Sequence, residues 1–119
     1  MNILVIDDER DIRQLITYAL KADGYHVTAV SNVEEAEHLI ITKDWDLVIS
    51  DVMIPHMGGF EIVELVKACK NIPVILLTGL DEDILYSTHS NADLIITKPV
   101  TRQQLMNSVK LLCTPADSL

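Results

Sequence analysis

Basic residues are scarce in this sequence, and aromatic residues and cysteines are scarcer still. Lysine and arginine together number 9 against 18 aspartates and glutamates, so the formal net charge is -9. A nucleic-acid-binding domain shows a basic face, and this balance therefore argues against direct contact with DNA or RNA. The acidic excess fits a protein that meets cations or basic partners, although a solvated surface explains most such charge.

The two cysteines, Cys69 and Cys113, form no spaced disulfide framework. This usage indicates a reducing, cytoplasmic setting. Both residues fall on predicted helices beside apolar neighbours, and packing explains them better than redox or metal chemistry does.

Long apolar runs are also missing, and none could span a bilayer. No signal peptide is predicted, because Met1 leads directly into a strand-like run with no basic segment before it. Aromatic residues make up 4% of a chain that is 49% hydrophobic, so the core must be mostly Ile, Leu and Val. The length of 119 residues fits one domain, which we predict over residues 1–113 with a polar tail over 114–119.

Five short apolar runs alternate with segments of helical periodicity. The predicted strands span residues 2–6, 26–30, 46–50, 72–77 and 94–97. Each run is followed by a helical pattern, and the pattern over 81–90 is the weakest. A strand–helix unit repeated five times predicts an α/β fold, a doubly wound flavodoxin-like parallel sheet in the order 2-1-3-4-5 with helices on both faces.

Local signals place the helix ends. Gly24 is expected to end the first helix, Ser31 or Asn32 to begin the second, and Thr101 to begin the last. The apolar spacing predicts that Leu15 lies on the core-facing side of the first helix. It predicts the same for Cys69 on the third helix.

The carboxyl ends of parallel strands open on one edge of the sheet, where such folds bind their ligands. The first strand brings Asp7 and Asp8 to this edge, and the third ends in Asp51. The fourth brings Thr78 and the fifth brings Lys98. We therefore expect three carboxylates, one hydroxyl and one ammonium group to converge there.

Three adjacent carboxylates repel one another, which a hard divalent cation relieves, and an all-oxygen site of this kind suits Mg²⁺. An aspartate such as Asp51 can also attack phosphorus and form an aspartyl-phosphate. The transferred group then needs positive charge and hydrogen-bond donors around its oxygens. Mg²⁺, Lys98 and Thr78 would supply these, and the backbone N–H of Gly79 could add another.

Taken singly, each of these residues has a simpler explanation. Asp8 could cap the first helix, Thr78 could be an ordinary strand-end threonine, Lys98 a surface lysine, and Pro99 the first residue of a helix. Their joint occurrence at four strand ends argues against four unrelated explanations.

The chain resembles the receiver domains of bacterial two-component response regulators, the chemotaxis-type receiver fold. The resemblance is carried by Leu4-Val5-Ile6-Asp7-Asp8-Glu9, Asp51-Val-Met-Ile-Pro55 with Gly59, Leu77-Thr78-Gly79 and Thr97-Lys98-Pro99. It covers residues 2–113, with the motifs in the family's order.

The resemblance implies a role for each residue. Asp51 matches the phospho-acceptor, and Asp7 and Asp8 match the pair that positions Mg²⁺, with the backbone carbonyl of Met53 as a further ligand. Thr78 matches the switch hydroxyl, and Lys98 matches the lysine that pairs with the phosphoryl group. The Lys98–Pro99 peptide bond is expected to be cis, which is cheap only before proline.

The implied donor is a phosphohistidine on a sensor histidine kinase or a histidine phosphotransfer protein. Phosphorylation would change the face formed by the fourth predicted helix, the fifth strand and the last helix, and this face would bind an output partner or a second copy. The family usually carries an aromatic residue where this chain has Ile95, which implies a reduced or differently built switch. Such a domain regulates rather than catalyses, and assists only its own phosphorylation and dephosphorylation.

Three alternatives remain open. A Mg²⁺-dependent aspartyl-phosphate phosphohydrolase usually carries a second aspartate where this chain has Met53. A phosphorylation-independent interaction domain usually loses one of the acidic residues, the threonine or the lysine, and all are present here. A flavin-binding protein of similar topology is disfavoured, because the acidic loop after Ile6 would repel a flavin phosphate.

Overall fold

Five parallel strands form one sheet in the computed structural model, which describes residues 1–52, 58–79 and 91–113. The strands are β1 (Asn2–Ile6), β2 (His26–Val30), β3 (Leu47–Asp51), β4 (Val74–Thr78) and β5 (Leu94–Thr97). Their order is β2-β1-β3-β4-β5, which confirms the predicted topology. Every residue of β3 and β4 is buried, as expected for inner strands covered on both faces.

Four helices pack on the sheet within these ranges: α1 (Arg10–Ala22), α2 (Val33–Thr42), α3 (Gly59–Cys69) and α4 (Arg102–Cys113). One core cluster joins the sheet to α2 and α3, and a second joins the opposite face to α1 and α4. Helices therefore cover both faces, as predicted. The helix predicted over 81–90 and the tail over 114–119 lie outside the described residues. Among the described helices, none has the length and apolar character that crossing a membrane would require.

The predicted helix ends are confirmed. Asn32 begins α2, since its Oδ1 accepts a hydrogen bond from the Glu35 N–H at 2.8 Å. Thr101 plays the same part for α4, because its Oγ1 accepts from the Gln104 N–H at 3.1 Å. Gly24 follows α1 with φ of 91°, a left-handed conformation that favours glycine.

The predicted bounds of two strands are wrong by one or two residues. β4 begins at Val74 rather than at residue 72, since Pro73 has no N–H to donate to a neighbouring strand. β3 runs from Leu47 to Asp51, so Asp51 and Thr78 are the last residues of their strands rather than the first residues beyond them.

Two predicted core positions are also wrong. Leu15 is 51% exposed because the buried stripe of α1 is taken by Ile16, Ala19 and Leu20. Cys69 is exposed at the last residue of α3, whereas Cys113 at the end of α4 is half-buried and packs against the core.

Candidate functional site

Three carboxylates meet at the carboxyl edge of the sheet. Asp7 and Asp8 directly follow β1, and Asp51 ends the adjacent strand β3. One oxygen atom of each lies within 4.8 Å of the others. Asp7 is fully buried and Asp51 is 5% exposed, whereas Asp8 lies at the surface. The structure thus brings together the three acids that the sequence placed at this edge.

Lys98 supplies the positive charge to this cluster. Its Nζ lies 3.2 Å from Asp51 Oδ2 and 3.5 Å from Asp7 Oδ2. A third carboxylate oxygen, Glu9 Oε1, lies 3.8 Å from the same nitrogen. The Lys98 N–H also donates to the Thr78 carbonyl at 2.7 Å, which holds this turn against the end of β4. One ammonium group is therefore shared among acids from two strand ends.

Burial and charge act in opposite directions at this site. Burial, with help from the neighbouring Asp51 charge, raises the pKa of Asp7 above its ordinary value of 3.8, although the Glu9 N–H and Lys98 favour the charged form. Burial also lowers the pKa of Lys98, but Asp51, Asp7 and Glu9 together outweigh it, so the net change is upward from 10.5. The acids therefore keep Lys98 charged, while Asp7 is held at some cost in free energy.

Three further predicted site residues lie next to Lys98. Thr78 is fully buried at the end of β4, one residue beyond the Asp51–Leu77 pair of the β3–β4 ladder. Gly79 is exposed beside Lys98, since a Cβ placed on it would lie 3.8 Å from Lys98 Cδ. The Lys98–Pro99 peptide bond is cis, as expected.

Two predicted site residues lie apart from the acids or outside the described ranges. Ile95 is half-buried in β5, paired with Leu76 and away from the strand ends. Met53, whose carbonyl was predicted as a metal ligand, lies outside the described residues.

Asp8 does not begin α1, contrary to the simplest explanation of that residue. The residue before the helix is Glu9, whose side chain makes no capping hydrogen bond among the residues that the structure describes. The Glu9 N–H instead donates to Asp7 Oδ1 at 2.9 Å. In the turn after β1, the main chain of Glu9 therefore holds the Asp7 carboxylate. The Asp8 side chain stays at the surface.

Sequence reasoning missed two residues. It used Glu9 only as part of the acidic run and did not predict its contact with Lys98. It also passed over Arg13, whose Nη1 donates to the Asp7 carbonyl at 2.7 Å. A usable signal was the charge of Arg13 near the start of a helix, where the dipole disfavours a cation unless a specific partner holds it.

The donor atoms fit a hard divalent cation. Asp7 Oδ2 is buried and makes no hydrogen bond to the described residues, although it lies at ion-pair distance from Lys98. A buried carboxylate oxygen without a hydrogen bond is costly unless a cation faces it. Asp7, Asp8 and Asp51 offer only oxygen atoms, the ligands that Mg²⁺ prefers.

The chain belongs to the response regulator receiver domain family, whose profile matches residues 3–110. Family, topology and acidic strand ends agree in defining it as a receiver domain of two-component systems.

Individual relatives are similar over most of the chain. It is 33% identical over 106 residues to the probable transcriptional regulator ycf27 of Cyanidium caldarium, covering 87% of this chain and 43% of that protein. It is 32% identical over 112 residues to the transcriptional regulatory protein HprR of Escherichia coli strain K12, covering 92% and 50%. The chain thus spans half or less of the length of these curated relatives.

Among solved structures, the signal receiver domain of a signal transduction histidine kinase from Syntrophus aciditrophicus superposes with a TM-score of 0.89. It is 32% identical and covers 99% of this chain and 93% of its own. Receiver domains similar to this chain therefore come from a kinase as well as from transcriptional regulators.

Proposed function

We propose that Asp51 accepts a phosphoryl group from a phosphohistidine of a sensor histidine kinase or a histidine phosphotransfer protein. The observation that carries this proposal is the buried Asp51 carboxylate, 3.2 Å from Lys98 Nζ and beside two further acids at the open edge of the sheet. A phosphoryl group on Asp51 would find its counter-charge already in place. Membership of the receiver family supports the same role.

In the transfer, a carboxylate oxygen of Asp51 forms a bond to phosphorus as the phosphorus–nitrogen bond to the histidine breaks. The imidazole leaves with the electron pair of that bond and is protonated. Lys98 balances the charge on the phosphoryl oxygens, and the Thr78 hydroxyl and the Gly79 N–H are the neighbouring donors. Water later hydrolyses the acyl phosphate, which returns Asp51 to its carboxylate form.

Asp7, Asp8 and Asp51 would hold Mg²⁺, with the Met53 carbonyl as a further ligand. When bound, the ion supplies positive charge to the phosphoryl oxygens and relieves the repulsion among the acids. Burial of Asp7 orients its side chain in advance. The exposed Asp8 leaves the site open to solvent and to an incoming phosphate.

The signal would leave through the strands that carry Thr78 and Lys98. A new phosphoryl group adds nearly two negative charges, which attract both side chains. The β4–β5 pair would then bias the face formed by β5, α4 and the segment over 81–90. Ile95 on β5 replaces the usual aromatic residue, so we propose a switch built on the threonine and lysine alone.

This face would bind an output partner or a second copy of the chain. We also propose that residues 1–113 form the receiver domain and that the protein acts in the cytoplasm. The domain would catalyse no reaction other than its own phosphorylation and dephosphorylation.

The deciding experiment incubates the protein with Mg²⁺ and acetyl phosphate and weighs it intact. One added phosphoryl group is expected on the unaltered chain and none on Asp51→Asn. Omitting Mg²⁺ or adding a chelator should suppress the adduct. An equal adduct on Asp51→Asn would place the phosphoryl group elsewhere, and no adduct on either protein would favour a phosphorylation-independent interaction domain.

A further inference from the structure

Arg13 occupies a position that general helix electrostatics disfavours. It is the fourth residue of α1, close to the positive end of the helix dipole. Its side chain is half-buried rather than extended into water. The guanidinium group makes one specific contact there, since Arg13 Nη1 donates a hydrogen bond to the Asp7 carbonyl at 2.7 Å.

The polar groups of Asp7 are held from several sides. Its N–H donates to the Val30 carbonyl at 3.2 Å, and its carbonyl accepts from Arg13. Its Oδ1 accepts from the Glu9 N–H at 2.9 Å. The other carboxylate oxygen, Oδ2, lies 3.5 Å from Lys98 Nζ and makes no hydrogen bond within the described part of the chain. Arg13 thus holds the main chain of Asp7, the residue that carries this oxygen.

Arg13 also joins both ends of the acidic turn. Its backbone N–H donates to the Glu9 carbonyl at 3.1 Å, while its guanidinium group holds the Asp7 carbonyl. The two bonds span Asp8, the exposed acid between them. The guanidinium bond therefore adds a side-chain contact to the main-chain bond at Glu9 and the Glu9 N–H bond to Asp7 Oδ1, which together hold the turn that carries Asp8.

We propose that Arg13 is a positioning residue that presets Asp7 and Asp8 for a divalent cation. This inference rests on the proposed function, because it concerns the same acidic site. Groups that orient metal ligands without touching the metal typically change affinity by about 10–100-fold when removed. Arg13 holds its ligand through the main chain, since its bond is to the Asp7 carbonyl and not to the carboxylate.

A general effect of charge or stability would be a different explanation, and the chain offers a matched control. Arg10 lies three residues earlier on the same helix and is exposed. Arg10→Gln and Arg13→Gln remove the same charge near the same site, but only the second removes the bond to Asp7. Arg13→Lys keeps the charge and a single donor, so it should recover part of any loss.

The experiment measures Mn²⁺ binding from the electron paramagnetic resonance signal of the free ion, at a temperature where every variant is folded. Asp8→Asn serves as the binding-deficient reference. Arg13→Gln is expected to weaken binding by about tenfold or more. Arg13→Lys should fall between Arg13→Gln and the unaltered chain, and Arg10→Gln should bind as the unaltered chain does.

Equal affinities for Arg13→Gln and Arg10→Gln would overturn the inference. If Arg13→Gln does not fold, the Arg13→Lys affinity decides the matter, since no loss relative to Arg10→Gln would again contradict it. Failure of the proposed metal site has a separate signature: the unaltered chain and Asp8→Asn would bind Mn²⁺ equally weakly.

Discussion

At the scale of single residues, Asp7 combines full burial with a position among like charges. Because burial raises its pKa above 3.8 in the folded state, the folded protein holds this proton more tightly than the unfolded chain does. Stability contributed by Asp7 therefore falls as the pH rises through the interval above 3.8, and the penalty is complete above the folded-state pKa. Asp7 in its charged form therefore lowers the stability of the folded protein at neutral pH.

Asp7→Asn should consequently stabilise the cation-free protein at neutral pH. The amide keeps an oxygen for the Glu9 N–H and removes the buried charge. A gain of about 1 kcal/mol would raise Tm by about 3–6 °C in a domain of this size. Thermal unfolding with a chelator should show this gain at pH 7 and its disappearance near pH 4. Asp44→Asn, at a fully exposed carboxylate, is the control, and an equal gain there would contradict the argument.

Lys98 carries the opposite charge into the same site. Its pKa is raised above 10.5 because the surrounding acids outweigh its partial burial, so it stays charged across the neutral range. Lys98→Gln should slow formation of the acetyl phosphate adduct by about 10–100-fold, the factor expected for one charge-assisted hydrogen bond. Intact-mass time courses measure this rate. Lys43→Gln removes an exposed lysine instead, and a similar slowing there would indicate loss of net charge alone.

At the scale of elements, α3 approaches β3 so closely that only glycine fits at its first residue. A Cβ on Gly59 would lie 2.9 Å from Val52 Cα and closer still to the Asp51 carbonyl oxygen. Alanine in place of glycine within a helix ordinarily stabilises. Here Gly59→Ala should destabilise by about 1–3 kcal/mol, because backbone must move.

Gly58 provides a matched comparison for Gly59. A Cβ there would meet the flexible Glu61 side chain at 3.1 Å and the Val52 carbonyl oxygen at 3.2 Å. Gly58→Ala should therefore cost less than Gly59→Ala in urea unfolding. The opposite order would mean that the end of β3 yields easily, and that Gly59 does not fix the backbone that carries Asp51.

Another inter-element contact lies at the edge of the sheet opposite the acids. Asp93 Oδ2, just before β5, accepts from Lys67 Nζ of α3 at 2.7 Å and from the Val74 N–H of β4 at 2.8 Å. One carboxylate oxygen thus joins a helix to the start of two strands. The Asp93 N–H donates back to the Val74 carbonyl at 2.9 Å, which completes a reciprocal pair.

Asp93→Ala should destabilise by about 1–3 kcal/mol, because it removes the acceptor of the N–H of the buried Val74 together with an ion pair. Urea unfolding measures this loss. Asp44→Ala breaks the Lys70–Asp44 pair, whose acid is fully exposed, and should have no measurable effect. Equal effects from the two substitutions would show that the Asp93 contact is an ordinary surface pair.

At the scale of the whole molecule, the features predicted from sequence are those that depend on local pattern and general topology. Strand order follows from the alternation of strands and helices, and the carboxyl-edge positions of Asp7, Asp51 and Lys98 follow from that order. Their roles in phosphoryl transfer stay predictions until the adduct is measured. The helix ends at Gly24 and Thr101 were also predictable, since their signals are short-range.

Features that depend on how elements approach one another were not predictable in this way. The exposure of Leu15 depends on the rotation of α1 against the sheet. The Arg13–Asp7 and Lys67–Asp93 contacts depend on the rotamers of long side chains that reach another element. The apolar periodicity of the sequence gives neither the rotation of a helix against the sheet nor the rotamer of a long charged side chain. It reports only which face of a helix is apolar.

Charge across the whole molecule leads to the last prediction, on cation binding and folding. With a net charge of -9, any salt should stabilise the fold somewhat by screening, whereas Mg²⁺ bound only by the folded acids adds a linkage effect. At about 100 times its dissociation constant, that effect amounts to about 2.7 kcal/mol.

Thermal unfolding should therefore show a larger rise in Tm with MgCl₂ than with NaCl at equal ionic strength, and Asp8→Asn should retain only the NaCl-like part. If NaCl reproduces the full rise, or Asp8→Asn responds as the unaltered chain does, the stabilisation is screening and the three acids hold no specific cation.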